Sequence, residues 1–348
     1  EQDRRSRPPS WLRKWAGDGM IARVETESVA AEIAQLKAPV VDVSSAQLVE
    51  GIPCVKTNEY EIAQLVVRSF AGRALRNLAY CGEPIFAWSR RREEAFVALS
   101  EESGCECRVF RGKAGHERGH SPMQERRLLK EWIQSLPKPV GIMACYDFRG
   151  HLILDVCREL RLRVPEDVAV IAVDNDERLC EICTPGLSSV VPDAFGAGYE
   201  AACLLHRMMS GEQVDLGVTL KSPLGIVERK SSDIYAIDDE DVVNAARLIR
   251  NHACEGLSVA DVLKAVPLSR RSLEYRFRRH FGRTPHEEIM RVRIERARTL
   301  LRETDFSLAA IALRTGFANA DYLSVVFKKA VGQPPSQFRA EWGRSAKH

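Results

Sequence analysis

Long apolar runs are absent from this sequence. In 348 residues, no run approaches the roughly 18–20 apolar residues that a membrane-spanning helix needs. The opening segment, EQDRRSRPPSWLRKW, has no hydrophobic core of the kind found in secretory signals, and the chain does not begin with Met. We therefore expect a fragment or a processed form, a cytoplasmic location and no membrane partner.

Paired metal-ligand motifs are also missing. Ten cysteines are scattered along the chain, with one CxxC at Cys180 and Cys183 and one CxC at Cys105 and Cys107. A structural zinc site needs four ligands, usually two such pairs at set spacing, and His206 completes no known pattern. Because no secretion signal is visible either, we expect reduced, structural thiols and no metal.

Signatures of nucleotide-dependent catalysis are lacking as well. No GxGxxG follows a strand, no P-loop is present, and the GAG at 196–198 precedes no phosphate-binding pattern. No Cys–His or Ser–His pair stands out. The sequence therefore predicts no cofactor and no enzyme, although an α/β enzyme with an accessory DNA-binding module stays open as an alternative.

Positive charge is concentrated in the last third of the chain. From residue 241 onwards there are 20 Lys and Arg against 11 Asp and Glu, a net charge of +9. The remainder has 31 against 37, a net charge of −6. This asymmetry indicates a polyanionic partner for the C-terminal part alone.

The first two-thirds of the chain alternate short apolar runs with amphipathic stretches. Apolar residues make up 45% of the chain, enough for a normal core. Several runs are continuously apolar, as in parallel sheets that helices cover on both faces. The pattern predicts a doubly wound α/β domain with strands at 19–24, 39–43, 77–82, 107–110, 141–145 and 168–173, and helices at 58–71, 88–103, 122–136, 148–161 and 194–210.

The pattern changes near Ser232, where Ser, Asp and Glu cluster and no strand pattern returns. We place an α/β domain at 1–231, a linker at 232–241 and an all-helical domain at 242–342. In the helical domain two helix-turn-helix units are expected, at 258–281 and 307–329, with Ser258, Ser269, Ser307 and Asn319 as helix caps. The helix between them, 286–301, would be about 24 Å long, so that the two second helices could sit about 34 Å apart, one turn of DNA.

One helix of this domain, SRRSLEYRFRRHFG at 269–282, carries five arginines. With Leu273 and Phe277 buried, the opposite face presents a single stripe, because its members lie at helical spacing. The stripe consists of Arg270, Arg271, Glu274, Tyr275 and Arg278. A solvated outer face is the ordinary alternative, but two units, a suitable spacer and the local charge favour double-stranded DNA.

The segment from Ser269 to Arg339 resembles the DNA-binding domain of AraC-type regulators over its full length. The matching positions are Arg293, Ala297, Leu300, Leu301, the Gly316–Phe317 pair, YL…VFKK and GxxPxxFR. The resemblance implies that Arg271, Glu274 and Tyr275 read bases. From their place on the same stripe, we expect Arg270 and Arg278 to position the helix. In the second unit it implies DNA contacts at Ala320, Asp321, Ser324, Val325 and Lys328.

The second unit departs from the AraC-type pattern. Val325 stands where the family often has Arg, and Asp321 would face a polyanion. We therefore expect the first unit to supply more of the affinity, and the second to read shape or a thymine methyl.

The α/β part resembles the sugar-binding domain of LacI-type repressors, which has the periplasmic-binding-protein fold with two lobes. The carrying stretches include WSRRREEAF, PVGIMACYDFRG and RVPEDVAVIAVDNDE. Joined to an AraC-type domain, this combination is similar to the xylose-regulator family. The resemblance implies a transcriptional regulator that is controlled by a sugar, such as a pentose, and that forms a homodimer and acts with RNA polymerase. A ligand-independent DNA-binding protein is the other alternative.

Sugar binding needs carboxylates, a guanidinium and an aromatic face, because each hydroxyl both donates and accepts. Arg92, Asp147 and Asp174 lie near predicted strand ends, where ligands of such sheets sit, and the resemblance places ligand contacts on the same three. Helix capping is the ordinary alternative for the two aspartates. Trp88 or Phe86 is expected to stack on the ring, or else to pack in the core.

Two departures concern this ligand site. Tyr146 replaces the family's usual Asn, and Phe148 follows Asp147, so the rim is bulkier and the ligand need not be xylose. The family's first strand and helix also have no counterpart upstream of PPSWLRKW, which predicts exposed sheet edges and an incomplete cleft.

Overall fold

The computed structural model describes residues 8–112 and 121–343, apart from the side chains of residues 303 and 341–343. The chain divides into two units: the first runs to Ile234, and the second starts at Tyr235 and also includes Gly72–Ala74. The expected linker at 232–241 is built into these units. Ser232 is fully buried, Tyr235 packs in the core of the second unit, and Asp239 caps a helix.

Strands and helices alternate through the first unit, as the sequence predicts. The strands are β1 (Met20–Ala22), β2 (Val40–Asp42), β3 (Cys54–Thr57), β4 (Asn77–Gly82), β5 (Glu106–Arg111), β6 (Val140–Ala144), β7 (Val168–Val173), β8 (Ser188–Val191), β9 (Val218–Lys221) and β10 (Gly225–Val227). The helices are α1 (Glu27–Ile33), α2 (Glu59–Ala71), α3 (Ala87–Glu102), α4 (Pro122–Ser135), α5 (Asp147–Glu159), α6 (Glu177–Ile182) and α7 (Ala194–Met209).

The strands form two sheets, as expected for the predicted α/β domain with two lobes. One has the order β1-β2-β3-β9, and the other has the order β10-β8-β7-β6-β4-β5. Within them only β10 runs antiparallel to its neighbour, β8. The other strand pairs are all parallel, which confirms the expected parallel sheets, and β10 adds one antiparallel strand at the edge, where the chain reaches β8 again after α7 and β9.

Helices cover both faces of the larger sheet, which explains its continuously apolar central strands. Every residue of β6 and β7 is buried. On one face, Ala79 and Cys81 of β4 share a core with residues of α4 and α5. On the other, Tyr80 packs against Phe96 of α3, with ring centroids 6.0 Å apart. Because β4 to β8 pair in parallel, their carboxyl ends meet at one edge of this sheet.

The second unit is entirely helical in its described part. Its helices are α8 (Glu240–His252), α9 (Val259–Ala265), α10 (Arg270–Phe281), α11 (Pro285–Glu303), α12 (Leu308–Arg314), α13 (Ala320–Val331) and α14 (Pro335–Gly343). The four expected caps, Ser258, Ser269, Ser307 and Asn319, each accept a backbone hydrogen bond from the first turn of the helix that follows. Such a cap satisfies a donor that the helix itself leaves unpaired.

Two apolar cores stabilise the helical unit, one for each helix-turn-helix pair. The α9–α10 pair buries Leu273 and Phe277, and the α12–α13 pair buries Leu323 and Phe327. The connecting helix α11 contributes to both cores and spans nineteen residues, about 28 Å, which is longer than expected. The rigid helix thus fixes the distance between the two pairs.

Gly316 forms the turn between α12 and α13 in a close-packed position. Its φ is +72°, in the left-handed region. A Cβ placed there would lie 2.9 Å from the carbonyl oxygen of Ala253 and 2.9 Å from the amide nitrogen of Gly256. Gly332, which ends α13, has a similar φ of +88°, but a Cβ there would meet nothing within 4 Å.

These two glycines separate backbone strain from steric conflict. We expect Gly332→Ala to lower the unfolding free energy of the helical unit by about 1 kcal/mol, the cost of a left-handed alanine. Gly316→Ala carries the same strain and a clash with backbone atoms, so we expect a loss of at least about 2 kcal/mol. Calorimetry of the full chain measures both, and equal losses would contradict the close contact.

Candidate functional site

Polar and charged residues gather where strands of the larger sheet end. Glu83 follows β4, Tyr146 and Asp147 follow β6, and Asp174 follows β7. Ligands of open α/β sheets bind outside such strand ends. We call this region the strand-end cluster and define it as Glu59, Trp88, Arg92, Tyr146, Asp147 and Asp174.

Arg92 on α3 is buried and fully engaged by the protein. Its Nε and Nη2 lie 2.7 Å and 2.6 Å from Oε2 of Glu59, and its Nη1 donates to the carbonyl oxygen of Cys145. The other Glu59 oxygen, Oε1, accepts from the Thr57 hydroxyl at 2.7 Å. The burial of both partners strengthens this ion pair, because the local dielectric is low.

Glu59 was not predicted from the sequence. It is the first residue of α2 and comes directly after the short strand β3, which the apolar pattern did not reveal. A carboxylate just beyond a strand end was the available signal, but it could be read only once β3 had been located.

Trp88 packs among aromatic rings while its polar atom stays unpaired. Its ring stacks on Phe86 at 5.2 Å with an angle of 13°, and meets Tyr146 edge-on at 5.9 Å. The Arg92 guanidinium carbon lies 5.1 Å from the ring centroid. Among the described residues, buried Trp88 Nε1 has no acceptor. A buried donor without a partner is unfavourable, so a ligand acceptor would stabilise it.

Asp174 holds a strained backbone conformation at the end of β7. Its φ is +109°, and the next residue, Asn175, has a φ of +51°. Non-glycine residues reach this region only when their surroundings enforce it, and such positions concentrate at functional sites.

The pKa of the Asp174 carboxyl is raised. The residue is exposed, but its carboxyl lies close enough to Arg92, Asp147 and Glu59 for their charges to act on it. Burial of the carboxyl raises its pKa to about 6, and this rise is opposed by Arg92 and increased by Asp147 and Glu59. The carboxyl therefore changes charge within a physiological pH range.

Asp147 is held by protein groups on both oxygens. Oδ1 accepts from the Ser189 hydroxyl at 2.6 Å and Oδ2 from the backbone amide of Asp176 at 2.6 Å. Burial raises the pKa of this carboxyl. In this structure Asp147 therefore anchors the turn after β7, the turn that carries Asp174.

Neither Asp147 nor Asp174 caps a helix. Tyr146 occupies the N-cap of α5 without a side-chain cap bond, and Asp176 caps α6 by accepting from the amide of Leu179. The capping alternative is thus wrong for both aspartates.

A second buried ion network fixes the orientation of Tyr146. Its hydroxyl donates to Glu83 Oε1 at 2.8 Å, and Arg149 Nη2 contacts the same oxygen at 2.6 Å. Arg149 also pairs with Glu125 at 2.6 Å. These contacts fix the Tyr146 ring in its position beside Trp88.

The cysteines are free thiols, and both members of the CxxC pair, Cys180 and Cys183, are buried. All ten are unbridged, and burial raises the pKa of Cys180 to about 12 and also raises the pKa of Cys183. A raised pKa disfavours the thiolate of these two residues, the form that reacts and binds metals. In the described part of the chain, no cluster of three metal-ligating side chains occurs.

The stripe predicted on α10 lies on the outside of the helical unit. Arg271, Tyr275 and Arg278 are exposed, opposite buried Leu273 and Phe277. The predicted residues Arg271, Glu274, Tyr275 and Arg278 line one shallow depression together with Arg279. Arg270 pairs with Glu274 at 3.0 Å, and Arg276 points elsewhere, to Asp239 at 3.3 Å.

The corresponding face of α13 has a different chemistry. Val325 and Asp321 are exposed, as is Lys328 near the end of the helix. The Ser324 hydroxyl donates to the carbonyl oxygen of Ala320 at 2.8 Å, so its hydrogen is used within the helix. This face carries far less positive charge than that of α10.

Family models match both units. The model described as a periplasmic binding protein-like domain matches residues 67–232, and a helix-turn-helix domain matches 262–341. Among the described residues, no helix is long and apolar enough to cross a membrane.

Similar proteins span almost the whole chain. The xylose operon regulatory protein of Escherichia coli K12 is 35% identical over 346 residues, which covers 97% of this chain and 88% of that protein. The protein of the same name from Haemophilus influenzae is 31% identical and covers 82% and 74%. A solved structure described as a xylose-binding transcription activator is 34% identical, covers 94% and 87%, and has a TM-score of 0.60.

The alignment with the Escherichia coli protein covers both matched segments of this chain, and the relatives are described as a regulatory protein and a transcription activator. The chain belongs to the family of xylose operon regulatory proteins, DNA-binding transcription regulators that join a periplasmic-binding-protein-like domain to a helix-turn-helix domain.

Proposed function

We propose that this regulator binds specific DNA sites mainly through α10 and that a sugar at the strand-end cluster changes its DNA affinity. The observation that carries the DNA part is the exposed face of α10, with Arg271, Tyr275 and Arg278 opposite a buried stripe. A helix of this kind fits the major groove, where arginine side chains contact guanine edges and phosphates.

The sugar part rests on the chemistry of the strand-end cluster. It offers the Asp174 carboxylate as an acceptor, the Trp88 indole as an unpaired donor, and aromatic faces for an apolar ring side. Sugar hydroxyls need this mixture. The xylose named for the relatives supports a neutral pentose as effector.

Asp147 and Arg92 enter this proposal in supporting positions. Asp147 holds the turn that carries Asp174, and Arg92 sets the electrostatics of the site beside Trp88. A homodimer, contact with RNA polymerase and a cytoplasmic location complete the proposal, and these rest on the family alone.

Coupling between sugar and DNA requires a difference in sugar affinity between two states of the protein. The test uses DNA sites selected from a random library by the full chain, with binding measured with and without D-xylose, L-arabinose or D-ribose. We expect at least one pentose to change the dissociation constant by about 5-fold or more. Unchanged DNA affinity across this panel would favour the ligand-independent alternative.

Arginine substitutions test the DNA surface. We expect Arg271→Ala to weaken specific binding by about 1–3 kcal/mol and to relax the preference for one base, because a base contact is lost. Val325→Ala in α13 should cost less, and Arg158→Ala, an exposed arginine of α5, serves as the charge-matched control. If Val325→Ala abolished binding while Arg271→Ala left it intact, the roles of the two units would be reversed.

The raised pKa of Asp174 predicts pH-dependent sugar binding. Above pH 6 the carboxylate is ionised and accepts charge-assisted hydrogen bonds from sugar hydroxyls, whereas below pH 6 it is increasingly neutral. We therefore expect sugar affinity to fall as the pH is lowered from 7 to 5. In Asp174→Asn the affinity should be lower at pH 7 and nearly flat over this range. Titration calorimetry measures both, and an identical pH profile in the variant would exclude Asp174 as the titrating group.

A further inference from the structure

The single guanidinium of the strand-end cluster is already neutralised by the protein. Arg92 and Glu59 side chains are 5% and 7% exposed, and they are joined through one carboxylate oxygen at 2.6 Å and 2.7 Å. The second Glu59 oxygen is held by Thr57. Both carboxylate oxygens of Glu59 thus have partners within the protein, and this holds Glu59 in its ion pair with Arg92.

This pairing decides which charges a ligand would meet. A free guanidinium beside a sugar site attracts carboxylates and phosphates, which it binds in a forked geometry. Here the place of the anion is taken by Glu59. The carboxyl groups of Asp147 and Asp174 add negative charge to the same region, and each raises the pKa of a neighbouring group.

Other arginines close to the cluster are also engaged. Arg23 pairs with Glu25 at 2.9 Å, and Arg91 donates to the side-chain oxygen of Gln47 at 3.0 Å. Arg149 lies between Glu83 and Glu125. An anionic ligand would therefore meet acidic groups and arginines that already have partners.

We propose that Glu59 is a specificity-determining residue: by occupying Arg92 it excludes sugar acids and sugar phosphates and leaves the site to neutral sugars. This inference rests on the proposed sugar-binding function and adds the selection by charge. The residue acts through Arg92, so its signature is a change in the ratio of affinities rather than a general loss of binding. Like-charge contacts of this kind cost enough to discriminate strongly between ligands.

The test compares size-matched neutral and anionic sugars on the full chain. D-Glucose and D-glucuronate differ at C6, a hydroxymethyl against a carboxylate, and D-galactose with D-galacturonate gives a second pair in which both members keep the pyranose ring. We expect wild type to bind the anions at least about 100-fold more weakly than the neutral sugars. In Glu59→Gln, which frees Arg92 but keeps the side-chain shape, this ratio should fall at least about tenfold.

Glu93→Gln is the matched control. Glu93 lies on α3 next to Arg92, but its carboxylate accepts from Arg111 at 2.8 Å and 2.6 Å, so the substitution changes the net charge equally without releasing Arg92. Its affinity ratio should equal that of wild type. An unchanged ratio in folded Glu59→Gln, or an equal shift in Glu93→Gln, would overturn the proposal, as would a wild type that accepts anions.

A double variant tests the proposal in case the single variant is unstable. If Glu59→Gln does not fold, Glu59→Gln with Arg92→Gln removes both members of the pair, and anions must remain excluded because no guanidinium is freed. Gain of anion binding there would overturn the role of Arg92. If wild type binds no sugar at all, the proposed effector class fails. The role of Glu59 then stands only if Glu59→Gln gains anionic ligands, and falls if it does not.

Discussion

The buried ion pair between Arg92 and Glu59 is the constraint on which the arrangement of the strand-end cluster depends. It joins the start of α2 to α3, and through the Cys145 carbonyl it also reaches the end of β6. Removing either partner would leave a buried charge uncompensated, a loss of about 3–5 kcal/mol. The position of Trp88 follows from the same contact, since the guanidinium lies over its ring. The Arg92–Glu59 ion pair therefore influences both the charge of the strand-end cluster and the placement of its side chains.

Most of the architecture could be predicted from the sequence because it depends on local patterns. β7 has the predicted bounds, since a continuously apolar run with helices on both sides suits only a doubly covered sheet. The helix-turn-helix pairs were equally visible, because Ser269 and Asn319 cap their helices by contacts with residues three positions away. Short strands were predicted less reliably: β1 and β2, of three residues each, lie within predicted apolar runs, whereas β3, β8, β9 and β10, of three or four residues, were missed.

The candidate site was less predictable because its key contacts join residues far apart in sequence. Their positions at strand ends predicted Asp147 and Asp174 as ligand contacts. Their different roles, however, depend on partners that are distant in sequence. Asp147 turns to Ser189, 42 residues away, whereas the Asp174 side chain is left open in a strained turn. Glu59 and Arg92 are 33 residues apart and belong to different helices. No periodicity encodes such pairs, so only the assembled sheet edge distinguishes an anchoring carboxylate from an available one.

In the helical unit, two helices with the same backbone features, α10 and α13, have different outer surfaces. Helices α10 and α13 each bury a Leu and a Phe four positions apart, begin at a side-chain cap and end at a left-handed glycine. These shared features fix the backbone without restricting the outer residues. The outer face of α10 therefore carries arginines, whereas that of α13 carries Val325 and Asp321. Because phosphate attraction grows with the number of cations, we expect the first helix-turn-helix to supply more of the affinity, and the second, whose outer face has Lys328 as its cation, to contribute more by shape and apolar contact.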